Sequence, residues 1–142
     1  MSQAIVLACD ALSVFLGRFP SCFPPVVVNI SDGMPTDRNP SADADRLRQL
    51  SSSDGHVLLF NLHLSGTAGS CVAFPDSDAG LADPYARLLF RLSSLLPPPL
   101  WPAAREAGVT VSAGTRGFVY NGDLGAVLRA LDIGTRRPGL GA

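Results

Sequence analysis

The feature that most limits what this chain can fold into is a short apolar run that stops at a turn rich in oxygen ligands. Residues 26–30 read Val-Val-Val-Asn-Ile and are followed by Ser31-Asp32-Gly33. Four of these five residues are β-branched and polar residues do not alternate with apolar ones, which is typical of a strand covered on both faces. Asp32-Gly33 and Pro35 cannot extend the strand. A carboxylate is therefore predicted just beyond its carboxyl end, where open α/β sheets bind ligands.

Spacings of three and four between apolar residues predict three helices, and the N-cap and first-turn proline of Asn39-Pro40-Ser41 predict a further short one. The first covers residues 2–18, and a short second helix ends near Leu50. The third begins at Asp83-Pro84 and continues to Leu96, and the last follows Asp123. The predicted inner faces are Ile5, Ala8, Leu12, Phe15, Leu16 and Phe19 in the first helix, Tyr85, Leu88, Leu89, Leu92, Leu95 and Leu96 in the third, and Leu124, Val127, Leu128 and Leu131 in the last.

Two more apolar runs, 57–64 and 118–120, predict strands, with 26–30 lying beside 57–64. Alternation of helix and strand calls for right-handed crossovers, so the predicted fold class is α/β, with a three-layer parallel sheet flanked by helices. Residues 97–116 are predicted to form a surface excursion, with Trp101 packed onto the body of the domain. The domain should cover residues 1–136, with fraying from Gly134 and a flexible tail over 137–142.

Composition excludes several classes of protein. The chain has eleven arginines and twelve acidic residues and therefore a net charge of −1, so no nucleic-acid partner is expected. Lysine is absent, which excludes a Schiff-base enzyme and a P-loop. Three cysteines without Cys-x-x-Cys spacing indicate reduced thiols rather than a disulfide framework or a zinc site. No apolar stretch reaches the roughly 18 residues of a membrane span, so a cytoplasmic protein without a membrane partner is expected.

The stretch from Val27 to Asp37 resembles the fourth-strand motif of von Willebrand factor type A (VWA) domains, an apolar run followed by Thr-Asp-Gly and often by Pro-Thr-Asp. The likeness is closest to bacterial stand-alone members. It continues through residues 54–63, 74–75, 89–90 and 116–121, and covers most of residues 2–136. The resemblance implies a partial VWA or Rossmann-like fold, the second half of the domain with its first strands missing. Strand 26–30 would then lack a neighbour on one side.

The resemblance also implies a metal site of which little is present. The family assembles it from an Asp-x-Ser-x-Ser motif, a Thr from a separate loop and the Asp of the fourth-strand motif, and only the last is matched, by Asp32. Asp32 is the candidate ligand, with Thr36 and Asp37 as candidate neighbours. A hard cation takes about six oxygen ligands, so Mg²⁺ or Mn²⁺ is expected only if a partner completes the site. No other cofactor is expected. Alternatively, Asp32 closes the turn by accepting amide hydrogen bonds.

Two other kinds of site are alternatives to this metal site. Asp32 and His63, with a serine or Cys71, could form a small α/β hydrolase site. The chain lacks a Gly-x-Ser-x-Gly elbow and a catalytic-cysteine signature, so it is predicted not to be an enzyme, with His63 hydrogen-bonded in the core. Residues 66–70 could cup an anion with main-chain amides, but no Gly-Lys-Ser/Thr follows them.

Protein recognition is the function that the resemblance implies, because type A domains are usually adhesion or assembly modules. The expected function is a non-enzymatic interaction module with an incomplete metal-ion-dependent adhesion site. The alternative is a truncated or split fragment that needs a partner. An unpaired apolar strand is a template for another chain, so a protein partner or self-association is expected along the exposed edge of strand 26–30.

Overall fold

The computed structural model describes residues 1–34, 36–65 and 69–136 and has a mixed α/β architecture. The helices are α1 (Ser2–Arg18), α2 (Ser41–Gln49), α3 (Pro84–Leu92), α4 (Trp101–Glu106) and α5 (Leu124–Thr135). The strands are β1 (Val26–Ser31), β2 (Ser51–Ser52), β3 (Gly55–His56), β4 (Leu58–Leu64), β5 (Val72–Ala73) and β6 (Phe118–Gly122). The predicted tail, 137–142, and most of the predicted anion nest, 66–68, lie outside the described residues.

The main sheet has four strands in the order β1-β4-β6-β5, so β1 lies at one edge. β1 runs parallel to β4, with Val26 opposite Leu58 and Ser31 opposite His63. β4 runs parallel to β6, and only the short β5 is antiparallel. The predicted parallel pairing of 26–30 with 57–64 is confirmed. β2 and β3 form a separate small hairpin where the sequence predicted only a turn.

Helices cover both faces of the sheet. Since successive strand residues point to opposite sides, they pack alternately against the two helical layers. Phe60, Leu62 and Val119 pack on one face against α4 and α5. Val57 and Leu59 pack on the other face against α1, α2 and the end of α3. Each large apolar side chain that is fully buried in these layers stabilises the fold by about 1.5–3 kcal/mol.

A polar network crosses the second of these layers. The Oδ1 atom of Asn61, in the middle of β4, accepts a 2.9 Å hydrogen bond from Asn29 Nδ2 of β1. Asn61 Nδ2 donates to Ser93 Oγ at 3.0 Å, and Ser93 Oγ donates to the carbonyl of Leu89 at 2.7 Å. A buried amide is stable in an apolar strand only when its hydrogen bonds are made. This network therefore ties β1, β4 and α3 together.

The third helix is shorter than predicted, since α3 ends at Leu92 rather than Leu96. The backbone turns at Ser93, and the N–H of Ser94 donates to Leu59 of β4 at 2.8 Å. Leu96 N–H donates to Thr115 at 2.8 Å. These contacts draw the chain out of the helix, so Leu95 is 49% exposed instead of lying on the inner face.

Residues 97–116 are not the surface excursion that was predicted. Ala103 and Ala104 of α4 are buried, and Trp101 packs against the core and donates its indole N–H to Leu96 at 2.8 Å. The packing of Trp101 is therefore confirmed. The prediction that the chain frays from Gly134 is wrong, because α5 continues to Thr135 and Gly134 is buried beside Phe60 and Val26. None of the described helices is both long and apolar enough to span a membrane.

Candidate interaction edge at strand β1

Asp32 lies just beyond β1, at the carboxyl edge of the sheet, where the sequence placed it. The residue is exposed, and within the described part of the chain its carboxylate makes no hydrogen bond or ion pair. The alternative in which Asp32 closes the turn is therefore not observed among these residues. Thr36 lines the same cleft, of about 410 Å³, together with Ser31 and Asp32.

The Asp37 carboxylate does not line this cleft but contacts the start of α1. Its Oδ2 accepts a 3.0 Å hydrogen bond from the main-chain N–H of Gln3, and Oδ1 lies 3.2 Å from the amino group of Met1. The hydrogen bond from Gln3 is the main reason why the pKa of Asp37 is lowered to about 2. The carboxylate thus caps the start of α1. Over residues 1–34, 36–65 and 69–136, no group of three or more His, Cys, Asp or Glu side chains could hold a metal ion.

His63, near the end of β4, is fixed by aromatic rings. Its ring stacks on Tyr120 with centroids 4.6 Å apart and faces the edge of Tyr85 at 6.1 Å. Its Nδ1 lies 3.5 Å from the main-chain N–H of Asn121. The side chain is half-buried. The structure brings His63 to the same sheet edge as Asp32, but no hydrogen bond joins the two among the described residues.

The polar groups around His63 connect three elements, and sequence reasoning noted one of them, Asp83, only as a helix start. Asp83 accepts hydrogen bonds from the Tyr120 hydroxyl at 2.5 Å and from the N–H of Tyr85 at 2.9 Å. These bonds lower the pKa of Asp83, and the bond to Asp83 raises the pKa of Tyr120 to about 12. The Tyr85 hydroxyl, whose pKa is raised mainly by burial, donates to the carbonyl of Gly33 at 2.7 Å. These residues hold the turn after β1 against α3 and β6.

The other side of β1 is free of strand partners in the described sheet. The carbonyl of Pro25 accepts a 2.9 Å hydrogen bond from Leu58 of β4. Because main-chain groups alternate along a strand, the N–H and C=O groups of Val26, Val28 and Ile30 point away from β4. The Ile30 side chain is 48% exposed. β1 therefore presents three residues of unpaired backbone at the sheet edge.

One flank of this edge is formed by apolar side chains of α1. Ala4 lines the cleft that contains Ile30, and Phe15 lines a second cleft, of about 700 Å³, with Val26. Leu7 and Val14 of α1 are also exposed, at 69% and 63%, but Leu7 lines a different cleft, with Asp37 and Arg38. The prediction that Phe15 and Phe19 face inward is wrong, because both are exposed, with ring centroids 5.0 Å apart.

The opposite flank is formed by α5. Leu124 and Leu128, predicted on the inner face, are 72% and 57% exposed, so that prediction is wrong. They lie on the same side of α5 as Thr135, and Thr135 lines the same cleft as Val26. The other flank faces α4, because Arg136 pairs with Glu106 there. Exposed leucines of α5 therefore lie on the side of the free β1 edge.

Comparisons with known proteins identify no relative of this chain. No family model, no curated protein and no solved structure matches the chain. What the chain can do is therefore inferred from the geometry of its own residues, in particular the free edge of β1 and the apolar flanks beside it.

Proposed function

We propose that this chain is a non-enzymatic protein-interaction module that takes a strand of another polypeptide along the free edge of β1. The observation that carries the proposal is the unpaired backbone of β1 between the exposed apolar flanks of α1 and α5. A strand edge is a template for pairing, and main-chain hydrogen bonds supply affinity when a peptide adds to it. The apolar flanks add burial to those hydrogen bonds.

A second copy of the chain is the partner that this surface fits best. A two-fold axis normal to the sheet would set the two β1 strands antiparallel and would keep each helical layer in register, so that α1 meets α1 and α5 meets α5. Phe15 of α1 and Leu128 of α5 are apolar and exposed, so copies brought together there would meet without repulsion between like charges. The result would be one continuous sheet across both copies.

The finer classification that we propose is a partial VWA-like domain with an incomplete metal site. Support comes from the position of the VWA-like stretch in β1 and the turn after it, with Asp32 exposed at the carboxyl edge, and from the parallel pairing of β1 with β4. In this proposal Asp32 and Thr36 supply only part of an oxygen shell, and Mg²⁺ or Mn²⁺ needs ligands from a partner.

Sedimentation velocity over a range of concentrations tests the interaction edge. The wild-type chain should associate reversibly. Ile30→Glu, which places a charge at the β1 edge, should weaken association at least tenfold, which corresponds to about 1.4 kcal/mol. Leu95→Glu is the matched control, because Leu95 is 49% exposed against 48% for Ile30 but lies beside Arg116 rather than β1.

Two results would contradict the proposal. One is a monodisperse monomer at all concentrations that binds no apolar dye, since the β1 surface should then be covered. The other is equal association of wild type and Ile30→Glu, since the contact would then lie elsewhere.

A further inference from the structure

A further cleft, distinct from the two beside β1, lies at the amino ends of the strands, away from Asp32 and from the exposed part of β1. It is lined by Arg48 of α2, His56 of β3 and the start of β4, together with Leu95 and Arg116, which form an antiparallel β-bridge. Its volume of about 460 Å³ falls within the range of small-molecule sites. Neither the interaction edge nor the aromatic cluster around His63 uses it.

Arg116 is a half-buried cation in this cleft, and it forms no ion pair within the described part of the chain. Its Nη1 donates to the carbonyl of Ser93 at 2.6 Å, and its guanidinium lies 5.2 Å from the centre of the Phe90 ring. Burial and the nearby charge of Arg48 lower the pKa of Arg116. Nε and Nη2 of Arg116 have no protein acceptor among the described residues.

Arg48 brings a second guanidinium, and Asp45 is the only carboxylate among the described residues that line the cleft. Arg48 Nη2 pairs with Asp45, and its Nη1 donates to the carbonyl of Arg91 at 3.3 Å. Its Nε is buried without a partner among the described residues. Carbonyls at the end of α3 thus engage one nitrogen of each arginine, as expected at a helix C-terminus. Two guanidiniums still share one carboxylate, which leaves one positive charge uncompensated.

We propose that this cleft binds a small organic monocarboxylate, with its carboxylate on Arg116 and its apolar part against Leu95. One negative charge matches the uncompensated positive charge of the cleft. The planar guanidinium offers two parallel N–H donors to a carboxylate, which favours this anion over a spherical one. Leu95, half-exposed at the mouth of the cleft, provides the apolar contact.

Titrations followed by NMR test the site with defined probes, namely acetate, hexanoate and inorganic phosphate. Hexanoate should shift the Arg116 Nε–H and Leu95 methyl signals saturably. Acetate should shift the same signals with lower affinity, because it lacks the apolar part. Arg116→Gln should weaken hexanoate binding about tenfold or more. Arg129→Gln, which removes an exposed arginine of α5, should bind as the wild type does.

A second variant keeps the test decisive if Arg116→Gln does not fold. Leu95→Glu retains Arg116 but places a carboxylate beside it, so it should abolish hexanoate binding while leaving association at the β1 edge intact. Absence of saturable shifts, unchanged binding in Leu95→Glu, or tighter binding of phosphate than of hexanoate would each overturn the assignment. None of these outcomes bears on the β1 edge, so the two proposals fail separately.

Discussion

The hydroxyl of Tyr120 donates a 2.5 Å hydrogen bond to Oδ2 of Asp83, while Oδ1 of the same carboxylate caps α3 through the N–H of Tyr85. A single side chain thus joins β6 to the start of α3. Since Tyr85 also reaches the carbonyl of Gly33, the turn after β1 depends on this arrangement. The proposed metal ligand Asp32 precedes Gly33 directly, so its position is set in part by a carboxylate 51 residues away in the sequence.

Removal of Asp83 should destabilise the fold through the lost cap and the unpaired Tyr120 hydroxyl. We expect Asp83→Ala to lower the free energy of unfolding by about 2 kcal/mol and Tyr120→Phe by about 1 kcal/mol. Urea denaturation measures both. Asp78→Ala is the control, since among the described residues the Asp78 side chain makes only a surface ion pair with Arg91, and the change should alter stability by less than about 0.5 kcal/mol. An equal loss in Asp78→Ala would contradict this account.

The hydrogen-bonded pair of Asp83 and Tyr120 predicts how the free energy of unfolding depends on pH. The pKa of Tyr120 in the folded state, about 12, is above its ordinary value of 10.0, so its contribution is present below pH 10 and lost as the pH rises through 12. The pKa of Asp83 is below its ordinary value of 3.8, so its contribution is present above about pH 4 and lost on acidification. The stability difference between wild type and Tyr120→Phe should therefore shrink above pH 10. A difference that grows there would have the wrong sign.

Gly117 should be intolerant of any side chain. A Cβ atom there would lie 2.1 Å from a ring carbon of the buried Phe60. We expect Gly117→Ala to cost about 3 kcal/mol, measured by thermal or urea unfolding. Gly17→Ala makes the same change in α1, where nothing lies within 4 Å, and should stabilise the chain by about 0.5–1 kcal/mol. Similar effects at both positions would show that the approach of Phe60 is not as close as described.

The hydrogen-bond network of Asn29, Asn61 and Ser93 predicts that replacing its two asparagines lowers the free energy of unfolding by unequal amounts. Asn61→Ala leaves the Asn29 amide without its acceptor, removes the hydrogen bond that Ser93 Oγ accepts and opens a cavity, so it should lower the free energy of unfolding by about 3 kcal/mol. Asn29→Ala removes a less buried partner and should cost about 1 kcal/mol. Urea denaturation of both variants decides the order, and a larger loss from Asn29→Ala would contradict it.

Metal binding by the isolated chain should be weak. Asp32 and Thr36 share a cleft, but Asp37 is held at the start of α1, so too few ligands are present to displace the hydration shell of Mg²⁺. Calorimetry should give no Mg²⁺ or Mn²⁺ affinity tighter than millimolar. Micromolar affinity that is lost in Asp32→Ala would show that these ligands suffice without a partner.

The sequence predicted the centre of the fold because local pattern and burial agree there. The largely apolar runs of β1 and β4 pack against helices on both faces of the sheet, and Asp32 follows β1 at the carboxyl edge as predicted. Helix α3 was predicted too long because Leu95 and Leu96 continue its apolar spacing. Hydrogen bonds of Ser94 to Leu59 in β4 and of Leu96 to Thr115 draw the chain out of the helix, and no local pattern encodes these distant partners.

The candidate surfaces were harder to predict. Leu124 and Leu128 belong to an apolar stripe of α5, and the pattern shows the width of such a stripe but not how much of it the sheet covers. Arg48 and Arg116 are 68 residues apart in the sequence, and only the fold brings them into one cleft. The free edge of strand 26–30 was expected from the resemblance to VWA domains, but Leu124 and Leu128, on one flank of that edge, were predicted to face inward.

Hydrogen exchange at single amides of β1 tests the central proposal most directly. In dilute monomer the amides of Val28 and Ile30, which point to the free edge, should exchange much faster than those of Val27 and Asn29, which point to β4. At concentrations where the chain associates, Val28 and Ile30 should become protected while Val27 and Asn29 change little. Association that leaves Val28 and Ile30 as exchangeable as in the monomer would contradict strand pairing at β1.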